Sequence, residues 1–338
     1  MLDLPQARVF GSGHSGATLG ALSTHGPIFL CDGQPWRWKG ASAFQLLDRF
    51  AKGEDLGAFL ADCAGFNVLR VWPYVPAQDW GASAWESPAP AIVLAFLEAM
   101  AAAGFFVELT LLTDDAPARI NPTIALVRAL TAARPANLLI EVANEPITHK
   151  AIDTAALRRV CEDSGFLFSS GDYEDSRRWF GSFLTFHSGR DAEWPRRAHD
   201  ALDYYHGGGP NFRTEPACRV PCVADEPIRP DQAGFNEPDF RAYFGACALL
   251  GAGATFHCES GKFARRFTDA ERRIAAVCLD ALDAFPVDAP LGAYRRPVER
   301  SLRTYVVGDH MVRIRPDTSQ APEPGWLPLD PDGILWTR

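Results

Sequence analysis

The sequence predicts an α/β fold, a single (β/α)8 TIM barrel with an N-terminal β-hairpin plug and a C-terminal β-hairpin with an extended strap. Three observations predict it. Short apolar runs alternate with longer stretches of helical periodicity, which is the sequence form of βαβ units around a parallel sheet. Eight such runs follow one another between Trp36 and Cys258, and no nucleotide-binding turn follows the first, which favours a closed ring over an open doubly wound sheet. With 338 residues the chain has a length that barrels commonly use for one domain. One domain is expected over 1–338, with a hairpin at 28–35, the barrel at 36–290 and an extension packed on it at 291–338.

Taken in order, Ile28-Phe29-Leu30 and Trp36-Arg37-Trp38 flank Asp32-Gly33, a strong hairpin turn, which predicts a small β-plug under the barrel. The eight strand runs are Trp36 to Ala41, Asn67 to Trp72, Phe105 to Leu112, Leu138 to Ala143, Phe166 to Ser170, Phe183 to His187, Val220 to Ala224 and Ala254 to Cys258. Helical stripes separate them: Leu56, Phe59, Leu60, Cys63; Ile92, Val93, Phe96, Leu97, Met100; Phe240, Tyr243, Phe244, Cys247; Ile274, Val277, Cys278. Gly65, Gly104 and Gly165 stand where left-handed helix caps are needed. Between the fifth and sixth runs there is room only for a short helix around Glu174 to Phe180. The tail carries a second hairpin, Thr304 to Val307 and Met311 to Ile314 around Gly308-Asp309, then a proline-rich strap ending in Trp336. Gly11 to Gly16 resembles half of a dinucleotide fingerprint but precedes the first strand, so it reads as a loop.

Composition excludes several function classes. Hydrophobic residues at 47% and charged ones at 22% support a large core and rule out wholesale disorder. A net charge of −9 argues against nucleic acid as a partner. No apolar stretch is long enough for a membrane helix, and the start Met1-Leu2-Asp3-Leu4-Pro5 lacks the regions of a signal peptide, so a cytoplasmic location is expected. Cys63, Cys161, Cys247 and Cys278 occupy apolar helical positions and read as reduced core residues. Cys218 and Cys222 could form a local disulfide or half a zinc site, but no second Cys/His pair completes one. No signal fixes an oligomeric state.

In a barrel the reacting groups gather at the carboxyl ends of the strands. The fourth run ends in Asn144-Glu145-Pro146 and the seventh in Asp225-Glu226-Pro227, so two carboxyls face each other across the mouth. Glycoside hydrolysis needs such a pair, one acid to protonate the leaving oxygen and one to attack or to activate water. A carboxyl separation of about 5–5.5 Å marks the retaining mechanism and about 6.5–9.5 Å the inverting one.

With Asp32-Gly33-Gln34-Pro35-Trp36, Asn67-Val68-Leu69-Arg70-Val71-Trp72, Asn144-Glu145-Pro146, Asp225-Glu226-Pro227 and Gly253-Ala254-Thr255-Phe256-His257, the chain resembles clan A glycoside hydrolases. It is close in layout to family five cellulases and mannanases, and particularly to bacterial cellulase-like proteins. The resemblance spans roughly Phe29 to Gly261. It implies that Glu145 is the acid/base, Glu226 the nucleophile, Asn144 the donor to the sugar 2-hydroxyl and Arg70 the cation that keeps Glu226 ionised, with no metal or organic cofactor. An Arg beside Glu226 favours its anion, while Glu145 in a more apolar setting would keep its proton. Asp225 competes with Glu226. Because side chains alternate along a strand, one of the two is expected to point inward, and the family pattern favours Glu226.

The sixth run ends in His187, with Arg190 shortly after, and the eighth in His257, with Glu259 beyond it. The family commonly places His or Tyr after strand six, so His187 would orient a sugar or the nucleophile. The chain departs from the pattern at His257, where relatives carry Trp, and at Thr113-Asp114-Asp115, where they often carry His. Glu259 offers a third acid but reads first as a subsite contact or a loop charge. Trp36, Trp38, Trp72, Tyr74, Trp80 and Trp85 cluster around the first two strands, and Trp38 and Trp72 are expected near the mouth as platforms for sugar rings. Pro73 to Pro90 and Thr148 to Gly165 would wall the cleft.

The leading expectation is thus a retaining β-glycosidase acting on a carbohydrate. Two alternatives stand beside it: a non-catalytic glycan-binding barrel that keeps the scaffold, and a metal-dependent barrel hydrolase, which the lack of paired His at ligand spacing weakens.

Overall fold

The computed structural model describes residues 19–74, 88–113, 117–145, 155–171, 180–188, 190, 194, 220–232, 234–249, 251–285 and 287, with the backbone of four tail strands. The stretch Gly11 to Gly16, Trp80, Trp85, Asp114, Asp115, Pro146, Cys218, most of the short helix expected at Glu174 to Phe180, most of the cleft-wall segment Pro73 to Pro90 and positions 148–154 of the second such segment lie outside the described residues.

The chain enters through an antiparallel meander of β1 (Leu22–His25), β2 (Ile28–Cys31) and β3 (Gln34–Trp36). Asp32 and Gly33 turn β2 into β3 with φ of 51° and 77°, the left-handed pair that a type I′ hairpin requires. Trp36, expected to start the first barrel strand, instead completes this meander. It pairs with Phe29, and the two rings meet edge to face at 5.9 Å.

The barrel strands are β4 (Lys39–Ser42), β5 (Val68–Val71), β6 (Phe106–Leu112), β7 (Leu138–Ala143), β8 (Leu167–Ser169), β9 (Leu184–Phe186), β10 (Cys222–Ala224) and β11 (Gly253–Phe256). Every ladder between them is parallel, and β4, the first, pairs with β11, the last, as ring closure demands. The seam between β8 and β9 is bridged by side chains. The Ser169 hydroxyl lies 3.0 Å from Thr185 Oγ1 and accepts the Thr185 N–H at 3.2 Å.

Around the sheet lie α1 (Leu46–Ala51), α2 (Gly57–Asp62), α3 (Pro90–Ala102), α4 (Ile120–Ala133), α5 (Ala155–Ser164), α6 (Glu237–Leu249), α7 (Glu259–Lys262) and α8 (Asp269–Asp283). Each long helix buries the stripe its period marks; in α3 it is Val93, Phe96, Leu97 and Met100. Thr268 and Glu271 form a reciprocal capping box that starts α8. Cys63, Cys161, Cys247 and Cys278 are buried thiols in these layers.

A second apolar cluster fills the amino end of the barrel. Phe29, Trp38, Val68, Phe106, Leu139, Phe183 and Val223 converge there, with Trp36 packed against them, under the meander. Trp38 therefore does not line the mouth, as expected, but is fully buried at the opposite end, where its Nε1 donates to Thr255 Oγ1 at 3.1 Å. Gly40 and Gly253 make the space: a Cβ at either would overlap Trp38. In the tail, β12 (Arg303–Val307) and β13 (His310–Ile314) form the expected hairpin. The strap beyond it is not simply extended: β14 (Leu327–Pro328) and β15 (Leu335–Thr337) extend the hairpin into a four-stranded sheet. Among the described residues no helix is long and apolar enough to cross a membrane.

Candidate active site

Arg70 is the centre of the site. It stands on β5 and points into the barrel, where it is fully buried. Its Nη1 donates to Glu226 Oε2 at 2.8 Å, its Nη2 to Glu141 Oε2 at 2.7 Å and to Asn144 Oδ1 at 2.9 Å, and its Nε lies 3.2 Å from Asp225 Oδ2. Burial disfavours the charge, but Asp225, Glu141 and Glu226 outweigh it and raise the guanidinium pKa further. Phe44 lies under it at 5.3 Å.

His187, just beyond β9, links the two strand-end acids. Its Nδ1 lies 2.9 Å from Glu145 Oε1, and its Nε2 lies 3.1 Å from Asp225 Oδ1 and 3.9 Å from Glu226 Oε2. Burial works against the charged ring, yet Asp225 and Glu226 hold its pKa well above the ordinary 6.5, so it is an imidazolium at neutral pH. Both Asp225 and Glu226 reach inward, contrary to the expectation that one would. Strict alternation ends where the β10 ladder ends at Ala224, and the two acids turn towards the same cations.

The ionisation pattern follows from these contacts. For Glu226, His187 and Arg70 overcome burial and hold the carboxyl well below 4.5. Glu145 was expected in an apolar setting that keeps its proton. Instead the hydrogen bond with His187 lowers its pKa, so the resting pair is Glu145 carboxylate with His187 imidazolium. Glu145 also adopts φ 44°, a left-handed conformation rare outside glycine, and such backbone strain concentrates at functional positions.

His257, at the end of β11, is buried against Phe44, and its Nδ1 lies 2.8 Å from the Ser42 hydroxyl. Burial lowers its pKa to about 3, so it is neutral, with Nε2 4.0 Å from Glu226 Oε1. Trp72 lies past β5, stacked on Phe44 at 4.2 Å and buried, so its face is already taken. Arg190 donates to Glu226 Oε1 at 2.6 Å. Glu259 pairs with Arg229 and Lys262, both at 3.2 Å, within a surface charge cluster.

Below the acids lie residues that sequence reasoning passed over. Glu141 on β7 accepts from Arg70 and, at 2.7 Å, from Thr110, and burial pushes its pKa up to about 7. Glu108 on β6 is wholly buried 3.9 Å from Arg70, and burial with Glu141 beside it drives its pKa far up. Five carboxyls (Glu108, Glu141, Glu145, Asp225, Glu226) thus face three cations (Arg70, His187, Arg190). Protons on Glu108 and Glu141 bring the set towards neutrality. The available signal was an acid and a threonine two apart inside an apolar run, Glu108 and Thr110, which alternation sends into the barrel. Among the described residues Glu141, His187 and Asp225 also offer ligand atoms within 4.8 Å of one another, a spacing a metal could use. Arg70 and the charged His187 ring occupy that space and would repel a second cation.

No family model matches the sequence, and no curated protein matches it. Solved structures do match the fold. A glycoside hydrolase family 5 from Bacteroides vulgatus superposes with a TM-score of 0.59 at 13% identity, over 88% of this chain and 81% of that one. The endo-1,4-β-mannanase of Rhizomucor miehei gives 0.52 at 14% identity, over 78% and 99%. A β-glucanase from Saccharophagus degradans gives 0.53 at 13%, over 81% and 97%. The class defined is therefore a (β/α)8 barrel of the kind these glycoside hydrolases share.

Proposed function

We propose that the chain is a retaining β-glycoside hydrolase with Glu226 as nucleophile and Glu145 as acid/base. The observation that carries the reading is the His187 ring, which touches Glu145 with one nitrogen and faces Asp225 and Glu226 with the other, so both acids share one small space. In the first step the His187 proton passes across the 2.9 Å contact to Glu145 and on to the glycosidic oxygen. The Glu226 carboxylate attacks the anomeric carbon as the bond to the leaving group breaks, giving a glycosyl ester. Glu145, again a carboxylate, then takes a proton from water, whose oxygen attacks the same carbon and releases Glu226, and that proton returns to His187 across the same contact. Arg70 holds Glu226 and Asn144 together throughout, and in this reading Asn144 donates its side-chain NH2 to the sugar 2-hydroxyl.

One observation favours the glycan-binding alternative: both oxygens of Glu226 are ion-paired, Oε2 with Arg70 and Oε1 with Arg190, which quenches a nucleophile. The two readings part on a panel of β-linked oligosaccharides and aryl β-glycosides. Hydrolysis is expected in the wild type, with a loss of about 10²–10⁴-fold in kcat for Glu145→Gln on substrates with poor leaving groups. A 2-deoxy-2-fluoro glycoside should leave its sugar on Glu226, visible by mass spectrometry. Binding without turnover across the panel, or full turnover in Glu226→Gln, would overturn the assignment.

A further inference from the structure

We propose that the sugar bound against Glu226 carries a carboxylate, as a uronic acid does, and that Arg190 is the residue that reads it. The inference rests on the hydrolase reading and names its substrate class.

The two cations on Glu226 differ in what else holds them. Arg70 is fully buried and also bound to Glu141, Asn144 and Asp225, so it cannot withdraw. Arg190 has a side chain 34% exposed, and its hydrogen bonds go to Glu226 Oε1 at 2.6 Å and to the Glu226 carbonyl at 3.5 Å. Two residues that flank it in sequence both meet one residue of α6: Ser188 hydrogen-bonds the Tyr243 hydroxyl, and Trp194 stacks on the Tyr243 ring at 4.4 Å.

Oε1 is the Glu226 oxygen that meets the partly exposed Arg190, so an anomeric carbon that reaches it from the Arg190 side comes in where the guanidinium now sits. Arg190 has to give up this ion pair for the reaction to proceed. A neutral sugar offers only hydroxyls in exchange. A ring carboxylate offers the planar two-oxygen partner that a guanidinium fork takes bidentately, so binding it and freeing Oε1 become one event.

The test compares aryl β-glycosides in pairs, glucuronide against glucoside, galacturonide against galactoside and mannuronide against mannoside. In the wild type kcat/KM for at least one uronide should exceed that of its neutral partner by more than about tenfold. Arg190→Gln should slow that uronide and speed the neutral member, reversing the preference. A faster neutral member in every pair, or an equal loss on both members in Arg190→Gln, overturns the proposal. Calorimetry with free glucuronate, galacturonate and mannuronate separates it from the hydrolase reading. If nothing is turned over but a uronate binds the wild type and not Arg190→Gln, hydrolysis fails and acid recognition stands. If no uronate binds and none is turned over, acid recognition fails.

Discussion

Glu145 and Glu226 follow β7 and β10, three strands apart in the ring, and their neighbours set their roles. Glu226 meets two arginines, and Glu145 meets one imidazolium. Since Glu226 is held well below 4.5 and His187 well above 6.5, the competent protonation state spans the interval between those values. The profile of kcat/KM against pH should be flat across it, falling on the acid side only when Glu226 protonates and on the basic side only when His187 loses its proton. In His187→Phe the hydrogen bond that lowers the Glu145 pKa is gone, so Glu145 must hold the reacting proton alone. Its basic limb should move acidward, towards the ordinary 4.5 of a carboxyl. An unmoved limb would assign the proton to another group.

At the scale of elements, the helix ends are where local chemistry is most visible. Gly65, Gly104 and Gly165 all carry positive φ, as their places after helical stripes predict. Helix α4 breaks this pattern by ending on Arg134, exposed, in the left-handed conformation at φ 55°, with its N–H bonded to the Leu130 carbonyl at 2.8 Å. A residue with a Cβ costs roughly 1 kcal/mol or more there. Arg134→Gly should therefore stabilise the protein by about 1 kcal/mol and leave activity alone, read as a rise in Tm and an unchanged kcat.

For the whole molecule, the barrel interior divides into an apolar lower layer around Trp38 and an ionic upper layer around Arg70. Removing the centre of the upper layer leaves buried carboxylates uncompensated. Arg70→Met should cost about 3–5 kcal/mol, measured by urea unfolding at neutral pH. Glu141 gives this layer a pH signature. Its folded pKa of about 7 lies above the ordinary 4.5, so its contribution is fully present below 4.5 and is lost as pH rises through 7. Glu226 and Asp225, with lowered values, act oppositely: their contribution is present above the ordinary carboxyl range and is lost as pH falls through their folded pKa values. In Glu141→Gln the wild-type decline in the urea midpoint between about pH 5 and about pH 8 should become shallower, by on the order of 1–3 kcal/mol over the range. An identical slope in both proteins would place the titration elsewhere.

The sequence by itself determined the eight barrel strands and the helical stripes in the described connections between them, the Asp32-Gly33 turn, the tail hairpin and the two acids after the fourth and seventh runs. All of these are local: periodicity, turn chemistry and strand ends are written in neighbouring residues. Only the tertiary structure decided what the side chains meet. Trp38 reads as a sugar platform until Gly40 and Gly253 open a pocket for it at the far end of the barrel. Glu108 and Glu141 read as isolated acids in apolar strands until the register of β5, β6 and β7 brings them around Arg70. The charge of Glu145 depended on His187, forty-two positions along the chain, and pKa values follow distance in space rather than distance in sequence.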